Sequence, residues 1–102
     1  MITTEQLAKF IPIDETDELI EANLARAVAG AHGYLLGAVG DDVEELLPDD
    51  PRVTELELRY AADLYNERSS SAKVAAAENR LVASMEAQLR LTLASIRKGR
   101  SS

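Results

Sequence analysis

The chain has no cysteine and no tryptophan, and only four aromatic residues: Phe10, Tyr34, Tyr60 and Tyr65. Without cysteine there can be no disulfide, no thiolate metal site and no cysteine nucleophile. No apolar run approaches the roughly 20 residues that a membrane-spanning helix needs. The N-terminus lacks a basic segment leading into an apolar one, so no secretion signal is expected and a cytosolic, reducing compartment fits. Histidine occurs once, as His32. With no second histidine and no cysteine beside it, an ordinary zinc site is not expected, and His32 reads as a partly exposed helix residue.

Alanine and leucine, both strong helix formers, dominate what is there. Apolar residues make up 46% of 102 residues, which is room for one domain, 1–102, with a modest core. Contacts between such alanine-rich helices are thin and bury little area per residue. A marginal monomer that gains stability by association is therefore expected.

The net charge of −7 is unevenly placed. Residues 1–50 carry twelve acids against Lys9 and Arg26, net −10, whereas residues 51–102 carry six acids against nine bases, net +3. Two halves of opposite sign favour head-to-tail contact between copies, and are equally compatible with two solvated faces.

Helical periodicity runs through every segment and predicts an all-α domain of four helices, near 4–11, 15–37, 51–68 and 72–98. Thr3 and Gln6 stand at capping-box spacing, and Pro12 ends the first helix, whose buried face would be Leu7, Phe10 and Ile11. The second helix should start near Asp14 to Thr16, with its acids in the first turn. It should bury Leu19, Ile20, Leu24, Ala27, Val28, Ala31 and Leu35. Gly30, Gly33 and Gly37 weaken its end, which implies close backbone packing or fraying. An acidic connector follows, with one helical turn at most around Val43 to Leu47. Asp50 and Pro51 then form a helix start of the favoured kind.

The third helix bears two apolar stripes, Val53, Leu56, Tyr60 and Leu64 on one line, Leu58, Ala61, Ala62 and Tyr65 on another. The serines 69–71 separate it from a long last helix whose stripe is Val74, Leu81, Met85, Leu89 and Ile96, joined by Val82 and Leu93. That helix would be roughly 40 Å long at 1.5 Å per residue, more than the others can cover. Together the last two helices would form the central hairpin. The uncovered stripe, with Leu58 and Tyr65, predicts an oligomer or partner interface of Leu58, Tyr65, Leu81, Met85, Leu89, Arg90, Ile96 and Arg97.

No catalytic constellation is found. There is no nucleophile elbow, phosphate-binding loop or dinucleotide fingerprint. The clusters Asp14, Asp17, Glu18, Glu21 and Asp41, Asp42, Glu44, Glu45 lack calcium-loop spacing. Neither an enzyme nor a cofactor is expected. A helix-turn-helix DNA-binding regulator, or another helical interaction module, is the alternative class. Overall acidity weakens the phosphate attraction that such binding rests on.

The order of elements resembles the small head–tail connector, or neck adaptor, family of tailed bacteriophages, once described as DNA-packaging proteins. The resemblance covers roughly residues 1–68. It rests on the opening Ile2-Thr3-Thr4-Glu5-Gln6-Leu7, the Phe10-Ile11-Pro12-Ile13 break and the acidic Asp17-Glu18-Leu19-Ile20 start. It rests also on Leu64-Tyr65-Asn66-Glu67-Arg68, similar to a Leu-Tyr-x-x-Arg that closes the family's penultimate helix. The long last helix and basic end depart from many members. What the resemblance implies is a non-enzymatic virion protein, made in the host cytoplasm. It would form a homo-oligomeric ring under the portal protein, join the filled head to a tail or stopper protein, and leave a channel for DNA. In such a ring Asp41, Asp42, Glu44 and Glu45 would suit the channel, where acids let DNA slide without sticking.

Overall fold

A computed structural model describes residues 1–11, 13, 17–66 and 72–100, with the side chains of 72–79 and 100 excepted. The described residues form an all-α fold of five helices with no strand: α1 (Thr4–Phe10), α2 (Glu18–Val39), α3 (Val43–Leu46), α4 (Pro51–Tyr65) and α5 (Ala72–Arg100). The expected serine-rich break at 69–71 and the position of Val74's side chain lie outside the described residues.

Local chemistry sets most boundaries. The capping box at α1 is complete: Gln6 N–H donates to Thr3 Oγ1 at 3.1 Å, and Thr3 N–H donates to Gln6 Oε1 at 2.8 Å. Ile11 then leaves helical geometry at φ −96, ψ 132, as a residue before proline should. Helix α2 starts later than its acidic run suggested, because Asp17 is the cap and accepts from Ile20 N–H at 2.8 Å. It continues to Val39 and stops at Gly40, whose φ of 121° is the only positive φ among the described residues. The acidic connector does carry one turn, α3, and Val43 on it is buried.

Asp50 caps α4 by accepting from Arg52 N–H at 2.9 Å, with Pro51 in the first turn. The Arg52 guanidinium, hydrogen-bonded to the same carboxylate at 2.7 Å, holds Asp50 below the usual carboxylate range. Since the folded-state pKa is the lower one, the cap's contribution is complete above about pH 4. It is lost as pH falls through the lowered value.

One core joins all five helices. It takes Leu7 from α1; Leu24, Ala27, Val28, Ala31, Leu35 and Val39 from α2; Val43 from α3; Val53, Leu56, Tyr60 and Ala61 from α4; Leu89 and Leu93 from α5. The central pair is α2 with α4, not the expected hairpin of the last two long helices. Ala27, Gly30 and Ala31 are small enough to let α4 come close; a Cβ added at Gly30 would sit 3.0 Å from Leu64 Cδ1. Helix α5 lies antiparallel along α4, since Glu86 reaches Tyr60 and Thr92 reaches Arg52.

Leu19 corrects the expected α2 face. It lies in the first turn, 70% exposed. Phe10 and Leu64 are also exposed, at the rim of a groove rather than in the core.

Among the described residues, a Cβ added at Gly33 or Gly37 would meet no atom within 4 Å. Neither close packing nor a special φ requires them. Gly33→Ala and Gly37→Ala are each expected to stabilise the fold by about 0.5–1 kcal/mol. Thermal melts should rise by several degrees for each. An unchanged or lower melting temperature would show that α2 is not regular helix there.

Candidate functional site

Two places concentrate side chains that the core does not need. The first is a groove of about 340 Å³ where α1, α2, α4 and α5 meet, walled by Phe10, Tyr34, Tyr60, Leu64, Val82 and the stem of Arg59. Tyr34 and Tyr60 form a tilted ring pair, centroids 5.0 Å apart at 53°, a favourable aromatic geometry. Tyr60 O–H donates to Glu86 Oε1 at 2.5 Å. Burial first, and then this bond to a carboxylate, push the Tyr60 hydroxyl well above the ordinary tyrosine value. Tyr60 is thereby favoured as the neutral donor of this bond. Arg59 pairs with Glu55 at 3.0 Å, one turn back, while its Nε is buried without a hydrogen-bond partner among the described residues.

The second place is where α2, α3 and α4 meet the N-terminal residues. Glu57 of α4 is only 1% exposed. Its Oε1 accepts from Ile2 N–H at 2.7 Å, and its Oε2 lies 3.8 Å from His32 Nδ1. Glu44 Oε1 lies 3.0 Å from that nitrogen and 3.4 Å from the Met1 amino group. His32 is, as expected, a partly exposed helix residue. The fold also gathers two carboxylates around it, from positions 12 and 25 residues away in sequence. Glu57 gave no sign of this role, because nothing in the local pattern of α4 separates a buried acid from a solvated one.

The expected interface residues separate into two groups. Leu89 is fully buried and belongs to the monomer's own core. Met85, Leu58 and Tyr65 are half-buried against that core, and Ile96 is partly covered. Leu81 remains exposed. Arg97 is drawn inward: Nε donates to Asp42 Oδ2 at 2.8 Å, and Nη2 donates to Val39 O at 3.2 Å and to Asp42 Oδ1. Arg90 Nε donates to Ala38 O at 2.8 Å, and its guanidinium pairs with Glu86 at 3.5 Å. Both arginines thus tie α5 to neighbouring elements or to its own turn, because each faces the carbonyl end of α2, and Arg97 also Asp42, within the same chain. Of the four acids expected to face a channel, Asp42 holds Arg97 and Glu44 sits beside His32. Asp41 and Glu45 are exposed.

Among the described residues no helix is long and apolar enough to cross a membrane. Comparison with known proteins finds no matching family model, no similar curated protein and no similar solved structure.

Proposed function

We propose that this protein is a non-enzymatic structural component of a tailed bacteriophage virion. It works at the neck as a ring-forming adaptor between the portal and the tail or stopper protein. The observation that carries the reading is the surplus of large apolar side chains left in solvent once the core is complete. Phe10, Tyr34 and Leu64 rim the groove, and Leu81 and Leu91 stand out along α5. Exposed apolar groups gathered around a concave groove suit association with another protein surface. The resemblance of residues 1–68 to the neck adaptors supplies the kind of association.

The contact between copies in this proposal is mainly apolar. Arg90 and Arg97 have partners inside the chain, so the basic half brings less to a head-to-tail contact than its composition implied. Arg80 and Lys98 remain on the exposed surface of α5. Exposed Asp41 and Glu45 would line the side past which DNA moves, repelling phosphates rather than binding them.

The test is a phage lysate lacking this protein. DNA-filled or leaking heads and free tails should accumulate, with few joined particles. The double variant Leu81→Asp, Leu91→Asp should reproduce that phenotype while melting close to the parent, since both side chains already face water. Normal particle yield without the protein would reject the adaptor. Sequence-specific duplex binding at physiological salt, with assembly untouched, would replace it with the DNA-binding regulator.

A further inference from the structure

We infer that His32, Glu44 and Glu57 form a site for one zinc-class divalent ion, joining α2, α3 and α4. The inference stands independently of the neck-adaptor reading. Three ligand atoms, one imidazole nitrogen and two carboxylate oxygens, lie within 4.8 Å of one another. Glu57 is almost wholly removed from water, its Oε1 is taken by Ile2 N–H, and its Oε2 faces His32 Nδ1 at 3.8 Å. His32 Nδ1 is likewise shielded and without a hydrogen-bond partner, because Glu44 Oε1, although 3.0 Å away, lies off the line that such a bond requires.

Three electron-rich atoms therefore converge on one spot. A neutral Nδ1 would present its lone pair to two acceptors, and a proton there reaches neither carboxylate in good geometry. Burying a carboxylate without a close positive partner is costly. The Met1 amino group faces Glu44, at 3.4 Å.

A divalent ion resolves the conflict in one step. Bound tetrahedrally at about 2.1 Å from each ligand, it holds ligand atoms about 3.4 Å apart. The His32 to Glu44 and His32 to Glu57 separations of 3.0 and 3.8 Å lie on either side of that spacing. A small rotation of the exposed Glu44 side chain closes the remainder. An imidazole ligand selects zinc and its transition-metal neighbours over calcium or magnesium, which prefer oxygen throughout. A cavity of about 130 Å³ borders both carboxylate ligands, Glu44 and Glu57.

Isothermal titration of zinc chloride into the tag-free, chelator-stripped full chain tests the site. One saturable ion per chain is expected. His32→Gln, Glu44→Gln and Glu57→Gln should each weaken binding at least about tenfold. Glu44 is exposed, so Glu44→Gln keeps the test meaningful if Glu57→Gln does not fold. Absence of saturable binding would overturn the inference. So would binding that His32→Gln and Glu44→Gln leave within about twofold of the parent, since that is the behaviour of scattered surface acids.

Discussion

Replacing Leu89 by aspartate is expected to abolish the native fold. Leu89 is fully buried where α5 packs on the rest of the molecule, and losing its burial alone costs about 2 kcal/mol. A carboxylate left in that position without a partner adds several kcal/mol more. Domains of this size are stable by roughly 5–15 kcal/mol in total, so little or nothing remains. Far-ultraviolet circular dichroism should show no cooperative melt, or one far below the parent's. Leu91→Asp, two residues away but 73% exposed, should melt like the parent. A cooperative parental melt for Leu89→Asp would mean that α5 is not docked on the core as described. The pair of variants thus separates the residues that hold the monomer together from those free to meet a partner.

Gly40→Ala is the second large effect expected. Gly40 ends α2 at φ 121°, ψ 150°, a region open essentially only to glycine and costing other residues about 1–3 kcal/mol. An added Cβ would also collide with the Arg97 guanidinium and approach Asp42 Oδ1 to 3.1 Å. The methyl group therefore strains the turn and dislodges the arginine that binds Val39 O and Asp42. At about 4–8 °C per kcal/mol for a domain of this size, the melting temperature should drop by roughly 5–20 °C. In an Arg97→Ala background the drop should be smaller, because the collision is gone and only the backbone strain remains. Equal drops in both backgrounds would show that Arg97 does not occupy that corner.

What could be read from the sequence was whatever chemistry is local. Thr3 with Gln6, and Asp50 with Pro51, announce helix starts through bonds that span two or three residues. The single turn at Val43 and the interior face from Leu24 to Leu35 follow from periodicity alone. The all-α fold followed from the same source. Errors arose where a side chain's fate depends on which other helix comes near. Leu19 fits the α2 stripe by spacing, yet it lies in the first turn and no described helix covers it. Leu89 and Leu81 share one α5 stripe, but only Leu89 falls where the core reaches, so spacing could not tell core from interface.

The candidate sites were less legible still. Arg90 and Arg97 looked free for a partner because their acceptors, Ala38 O, Val39 O and Asp42, lie more than 50 residues upstream. The environment of His32 is assembled from three helices, and its most buried member, Glu57, is held by the backbone of Ile2. No motif marks a carboxylate chosen by a distant N–H group. The groove at Tyr60 is similar: its stripe was read as core, and only the packing of four helices leaves a hollow beside it.

The hydrogen bond from Ile2 to Glu57 and that from Arg97 to Asp42 each span 55 positions in the chain. One fastens the beginning of the described chain to its middle, and the other fastens its far end to the middle. The fold is therefore fastened near both ends like a clasp. A fragment without the first residues leaves the Glu57 carboxylate with a lost donor inside the protein. A fragment without the end of α5 leaves Asp42 and the last carbonyl of α2 without Arg97.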